Sequence, residues 1–221
     1  MLFRTTRPKT AATVMAVLAA ATAVSAGGVP KVKIVPLPAD CTALPGYTAS
    51  DGTAQNLFIY ITDDDTNNGT KARTNVFLSE GNKPTGFVTF PYPGAGVSEN
   101  AYQVKCGGGG VLSIFTNFTA SPDQALQVAA SPIAASLGFG LPGGVPVRLY
   151  AHQDPATGAA LPGVFLGAQN TSTWGVAYAQ YFSTDGSGLM MARLLGPNTP
   201  LQPGGQYLLP LETPVFLRLD A

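Results

Sequence analysis

Apolar and polar residues alternate with a period of two along most of this chain. In "NLFIYIT", Leu57, Ile59 and Ile61 fall on one side, and Phe58 and Tyr60 on the other. That is the side-chain parity of a β-strand. "AYQVKC" groups Tyr102, Val104 and Cys106 opposite Gln103 and Lys105. "PVRLYAH" sets Val147, Leu149 and Ala151 against Arg148, Tyr150 and His152. "PVFLRLD" sets Val215, Leu217 and Leu219 against Phe216, Arg218 and Asp220. Similar runs include "TNVFLSE", "GFVTFPY", "VLSIFTNF", "GVFLGAQ", "TWGVAYAQYF" and "LMMARLL". Many short strands, broken at fairly even spacing by Gly and Pro, predict an all-β fold: a single-domain antiparallel β-sandwich or a barrel-like jelly roll.

One stretch competes with this pattern. In "SPDQALQVAA", Ser121 suits a helix N-cap, Pro122 the first helical position and Asp123 the positive end of a helix. The spacing predicts at most one short helix there. "PKVKIVPLPAD", Pro30 to Asp40, reads as an edge strand or an extended arm leading into the domain.

The first residues follow a different rule. Arg4, Arg7 and Lys9 precede the apolar run "AATVMAVLAAATA", and "VSA" at Val24 to Ala26 offers short side chains to a signal peptidase. The expectation is a secretory signal over residues 1–26, an extended Pro-rich arm over 27–40 and the β-domain over 41–221. The run of 13 residues is short for a membrane span, which needs about 20. Cleavage after Ala26 leaves nine basic residues against 12 acidic, a net of −3. A mildly acidic chain lacks the basic patches that nucleic acid and anionic membranes attract. The charged C-terminus "PVFLRLDA" does not read as the apolar tail of a lipid-anchor signal.

Secretion gives the two cysteines a meaning. Cys41 and Cys106 are expected to pair. Closing a loop of about 66 residues stabilises the fold by on the order of 4 kcal/mol in the chain-entropy picture. Three sequons, at Asn68, Asn117 and Asn170, fit a glycoprotein.

Candidate chemistry is sparse. "ITDDDTNNGT" concentrates three consecutive aspartates in one loop, and Asp63, Asp65 and Asn67 have the alternation of a calcium loop. The glycine falls one place late and no acid closes the site. A solvated hairpin tip explains the run as well, because Asn68-Gly69 is a strong turn signal between "NLFIYIT" and "TNVFLSE". A weak cation site is the alternative, and no other cofactor is expected.

His152 has Asp154 nearby, but a spacing of two does not set a carboxylate behind the imidazole. The expectation is a surface histidine sharing a face with Arg148 and Tyr150. "CGGGGV" is followed by strand pattern rather than a helix, so it reads as a hairpin connection and not a phosphate cradle. Trp174, Val176, Tyr178 and Phe182 form a stripe expected in the core, while Phe58 with Tyr60 and Tyr92 are the rings expected at the surface.

These features predict a secreted glycoprotein with a non-catalytic structural or interaction role, its partners extracellular or cell-wall components. Binding of carbohydrate or another surface ligand is the second reading. A glycan-active hydrolase using aspartates is the third.

Overall fold

The computed structural model describes residues 31–62, 69–78, 84–91, 103–114, 124–130, 136–179, 189–196 and 212–221, with only the backbone at 73–78, 84, 178 and 179. The candidate cation ligands Asp63, Asp65 and Asn67 lie outside these residues, as do the sequons at Asn68 and Asn117, and Tyr92, Tyr102 and Phe182.

The described chain is all-β. Its strands are β1 (Lys33–Pro36), β2 (Tyr47–Thr48), β3 (Thr53–Thr62), β4 (Arg73–Leu78), β5 (Pro84–Pro91), β6 (Val104–Gly107), β7 (Val111–Ile114) and β8 (Gln124–Val128). They continue with β9 (Leu137–Phe139), β10 (Val145–Pro146), β11 (Arg148–Gln153), β12 (Ala160–Gly167), β13 (Thr173–Ala179), β14 (Leu189–Leu194) and β15 (Thr213–Asp220). Every pairing is antiparallel. The sheet runs β1-β11-β12-β15-β13-β14-β5-β9-β8-β7-β6-β3-β2, and β15 also pairs with β3. That extra pairing curls the sheet back on itself into a barrel-like sandwich.

Two strands turn the corners. The first half of β3 pairs with β6 through Ala54 and Leu57, the second half with β15 through Phe58 to Thr62. β5 meets β9 through Gly86 and Phe87, and β14 through Thr89 to Pro91.

The alternation read from the sequence sets the core. Leu57, Ile59 and Ile61 of β3, and Val215, Leu217 and Leu219 of β15, are all buried in one cluster. Trp174 and Val176 join it from β13, and the Trp174 Nε1–H donates to the Leu166 carbonyl at 2.8 Å. A buried indole N–H thus keeps a partner. Ala54 breaks the parity of β3, yet it is buried with Leu57. A register shift between them, with Asn56 at a φ of 57°, inserts the extra residue that returns both to the core side.

Cys41 and Cys106 are joined, with Cα atoms 5.7 Å apart. Cys106 points inward with Val104, as strand parity requires. The bond fastens the entry segment to β6. The glycine run after Cys106 is a hairpin turn: Gly107 pairs with Val111, and the Gly110 N–H donates to the Gly107 carbonyl at 3.1 Å. Gly110 has a φ of 72°, and a Cβ there would strike the Ala39 backbone of the entry segment.

Three expectations need correction. The stretch expected as a short helix contains β8 instead, which pairs with β7, β9 and β10. Leu126 and Val128 are buried on one side of it. Strand pairing on both flanks outweighs a local capping signal worth about 1 kcal/mol. Second, "TNVFLSE" is not the hairpin partner of β3, because β4 pairs along its whole length with β5. Residues 69–72 return beside β3, with Ile61 N–H to Thr70 O and Ala72 N–H to Ile59 O, before the chain leaves for β4. Third, His152 is not a surface residue; it is 1% exposed.

β1 covers the free edge of β11, from Lys33 opposite Gln153 to Pro36 opposite Tyr150. Within the Pro-rich stretch, Lys33–Pro36 is therefore an edge strand. Among the described residues no helix is long and apolar enough to cross a membrane.

Candidate functional site

The side of β11, β12, β15 and β3 that faces away from the core carries the most distinctive side chains of the molecule. Register sets them in a row. Tyr150 pairs with Phe165, Phe165 with Arg218, Arg218 with Tyr60 and Tyr60 with Lys71. Aromatic and cationic residues thus share one line across four strands and the returning segment. Directly opposed side chains on an antiparallel sheet lie close enough to touch.

One end of this face is closed over. The His152 ring stacks on Phe165 with centroids 3.7 Å apart and planes 5° from parallel, and meets Phe216 edge-on at 4.4 Å. Val32, just before β1, packs against Phe165 and Phe216. His152 Nε2 shares a hydrogen bond of 2.7 Å with the hydroxyl of Ser172, itself buried. Burial away from water pushes the imidazole pKa down to about 4. A neutral imidazole among three apolar neighbours explains why Phe165 and Phe216, on the outward side of their strands, form a second small core. Parity alone had assigned this side to water.

A serine beside a histidine invites comparison with nucleophilic catalysis. Such a pair needs a reacting carbonyl to reach the hydroxyl and a group to steady the imidazolium. Here the hydroxyl is buried, and burial of the imidazole away from water disfavours its charged form. The pair reads as a satisfied internal hydrogen bond.

The other end of the face is open. The Lys71 ammonium sits 3.4 Å above the Phe58 ring and 5.6 Å from that of Tyr60. Arg218 donates from Nη2 to Asp220 Oδ2 at 2.8 Å, and both side chains are substantially exposed. Its aliphatic stem covers Gly163, where a Cβ would lie 2.7 Å from the Arg218 Cδ. Phe58 and Tyr60 are half-buried, so the rings expected at the surface reach it with their polar neighbours. Sequence reasoning missed Lys71. The signal was available in principle, since a hairpin centred on the acidic loop sets residue 71 opposite residue 60.

Three of the four described aspartates are tied to their own turns, the fourth being Asp220. Asp40 accepts from the Thr42 N–H and hydroxyl, and Asp51 from those of Thr53. Asp154 accepts from the N–H groups of Ala156 and Thr157. Those bonds hold the Asp40 and Asp154 carboxyls below the usual carboxylate range. Glu212 is buried in a two-point ion pair with Arg193, both bonds 2.6 Å. Among the described residues no three His, Cys, Asp or Glu side chains converge as a metal site would require.

The third sequon lies near the buried histidine. Asn170 is exposed in a two-residue turn between Ala168 and Thr171, with φ of 51° at Gln169 and 60° at Asn170. Comparison of the chain with protein-family models and with curated protein sequences finds no match.

Proposed function

We propose that this protein is a secreted glycoprotein with a non-catalytic interaction role, and that it engages extracellular or cell-wall components through the open end of the β3–β15 face. The observation that carries this reading is the cluster of Phe58, Tyr60, Lys71, Arg218 and Asp220. It combines half-buried rings with exposed ionic groups of both signs on a sheet whose other side holds the core. Aromatic and Arg side chains held in place by neighbours are the usual anchors of recognition surfaces. The disulfide supports the extracellular setting, because such bonds persist in oxidising compartments.

A sugar-stacking platform fits less well. The Lys71 ammonium already occupies the Phe58 ring face where a pyranose would lie. Hydrolysis by aspartates also fits less well, since the described aspartates serve turns or a surface ion pair.

The test is a binding screen of the purified protein against polysaccharides and extracellular or cell-wall preparations. Tyr60→Ser with Lys71→Glu is run in parallel, and a melt shows that the variant is folded. A ligand held by the wild type and lost at least tenfold in the variant supports the reading. Equal binding by both proteins, or none by either, overturns it.

A further inference from the structure

The sequon at Asn170 reads "NTS", so its hydroxyl-bearing third residue is Ser172. That motif is an acceptor only with Ser or Thr in the third position, which means the transferring enzyme must reach this hydroxyl as well as the asparagine. In the folded chain the two are separated. Asn170 is exposed at the turn, while Ser172 is 1% exposed with its hydroxyl bound to His152.

The turn is also fastened on several sides. Ala168 and Thr171 exchange backbone hydrogen bonds of 3.0 Å in both directions. The Thr171 hydroxyl donates to the Leu195 carbonyl at 3.1 Å. Trp174, two residues beyond Ser172, is fully buried and tied to Leu166. Ser172 therefore cannot be offered to an enzyme without opening β12 and β13.

We propose that Asn170 accepts an N-linked glycan only before this part of the chain folds, so that the closing of Ser172 onto His152 ends the acceptor's availability. In the transfer, the Asn170 carboxamide nitrogen bonds to the anomeric carbon of a lipid-diphosphate-linked oligosaccharide. The anomeric C–O bond breaks, the lipid diphosphate leaves with the electron pair, and the amide nitrogen gives up one proton. The finished glycan projects from the exposed turn and leaves the His152–Ser172 bond intact. This inference rests on the secretory reading for its setting.

The experiment takes the full chain made without glycans. One sample is folded and oxidised; the other is reduced, alkylated and kept unfolded. Both are offered to a purified oligosaccharyltransferase with its lipid-linked donor, and occupancy of Asn170 is read by mass spectrometry. Occupancy at least tenfold higher in the unfolded chain is the expected result. A smaller ratio overturns the inference, and so does an unmodified Asn170 in both samples. Expression in a eukaryotic secretory host separates the two ideas. A retained Met1 without glycans sinks the secretory reading and leaves the purified-enzyme ratio standing as the test of the inference. A processed N-terminus, with glycans at Asn68 or Asn117 but none at Asn170, keeps the secretory reading and sinks the inference.

Discussion

Among the described residues two basic side chains are buried on the outward side of this sheet, and they are held there by opposite means. His152 lies between Phe165 and Phe216, with one hydroxyl for company. Arg193 lies on β14, where its neighbours Ala192 and Leu194 face the core and leave it on the other side. It is met by the Glu212 carboxylate in two short bonds, with Nη1 left without a partner among the described residues. Gly175, opposite Arg193 in the ladder, makes the room: a Cβ there would collide with the Glu212 carboxylate. Imidazole can escape the cost of burial by staying neutral, but a guanidinium cannot. The first site is therefore vulnerable to protons, the second to loss of its counter-charge.

The largest expected effect comes from removing that counter-charge. Glu212→Ala leaves a buried, unpaired Arg193 and is expected to destabilise the fold by about 3–5 kcal/mol. For a domain of this size that lowers the melting temperature by roughly 10 °C or more. Replacing both partners with apolar residues, Arg193→Met with Glu212→Leu, should recover most of the loss, because the pair's attraction largely offsets its own desolvation. Should Glu212→Ala melt within a degree or two of the wild type, the ion pair is not holding Arg193 in place and the contrast collapses.

Acid tests the other site. The folded-state pKa of His152 is about 4, below an ordinary value of 6.5, so the unfolded chain takes up the proton more readily. Its contribution is intact above pH 6.5, is lost as pH falls through the window down to about 4, and changes no further below it. The full loss is on the order of 3 kcal/mol. Asp40 and Asp154, with carboxyls held below their ordinary range, lose their contributions at more acidic pH, below 3.8. Denaturant unfolding at pH 7 and pH 4.5 should therefore show a drop that His152→Phe largely removes. A drop of the same size in the variant would place the acid sensitivity elsewhere.

The contrast also marks how far the sequence could be read. The cores of β3 and β15 were legible because Leu57, Ile59, Ile61, Val215, Leu217 and Leu219 keep strict alternation. The disulfide was legible because the chain has only two cysteines. Burial of His152 was not, since the rings that cover it come from β12 and β15, and local parity says nothing about which outward side is roofed. β8 looked helical because Ser121 to Asp123 carry a capping signal, while its strand partners lie elsewhere in the chain. The pairing of Glu212 with Arg193 depends on how β14 and β15 register against β13, which periodicity does not supply. Of the candidate site, Phe58 and Tyr60 were visible as the off-core residues of their strand, whereas Lys71 depended on the return path of the chain after the acidic loop.

The smallest effect sharpens the His152 site itself. Ser172→Ala removes the only hydrogen-bond partner of His152 Nε2 among the described residues, at a buried site. A buried polar atom left without its partner costs about 1–3 kcal/mol, and the loss of one neutral bond sits at the lower end. The expected cost of Ser172→Ala is about 1–2 kcal/mol at pH 7. In a His152→Phe background the serine has no imidazole to bond, so the same substitution should cost close to nothing. The difference, a coupling of about 1–2 kcal/mol, is what a double-mutant cycle measures for two groups in contact. Glycan-free protein is used throughout, because Ser172→Ala also destroys the sequon. Asn170→Gln serves as the control that removes the sequon and keeps the hydroxyl, and it should melt as the wild type does. Additive costs for Ser172→Ala and His152→Phe would show that the hydroxyl stabilises something other than the imidazole, and the neutral ring would then owe its burial to Phe165 and Phe216 alone.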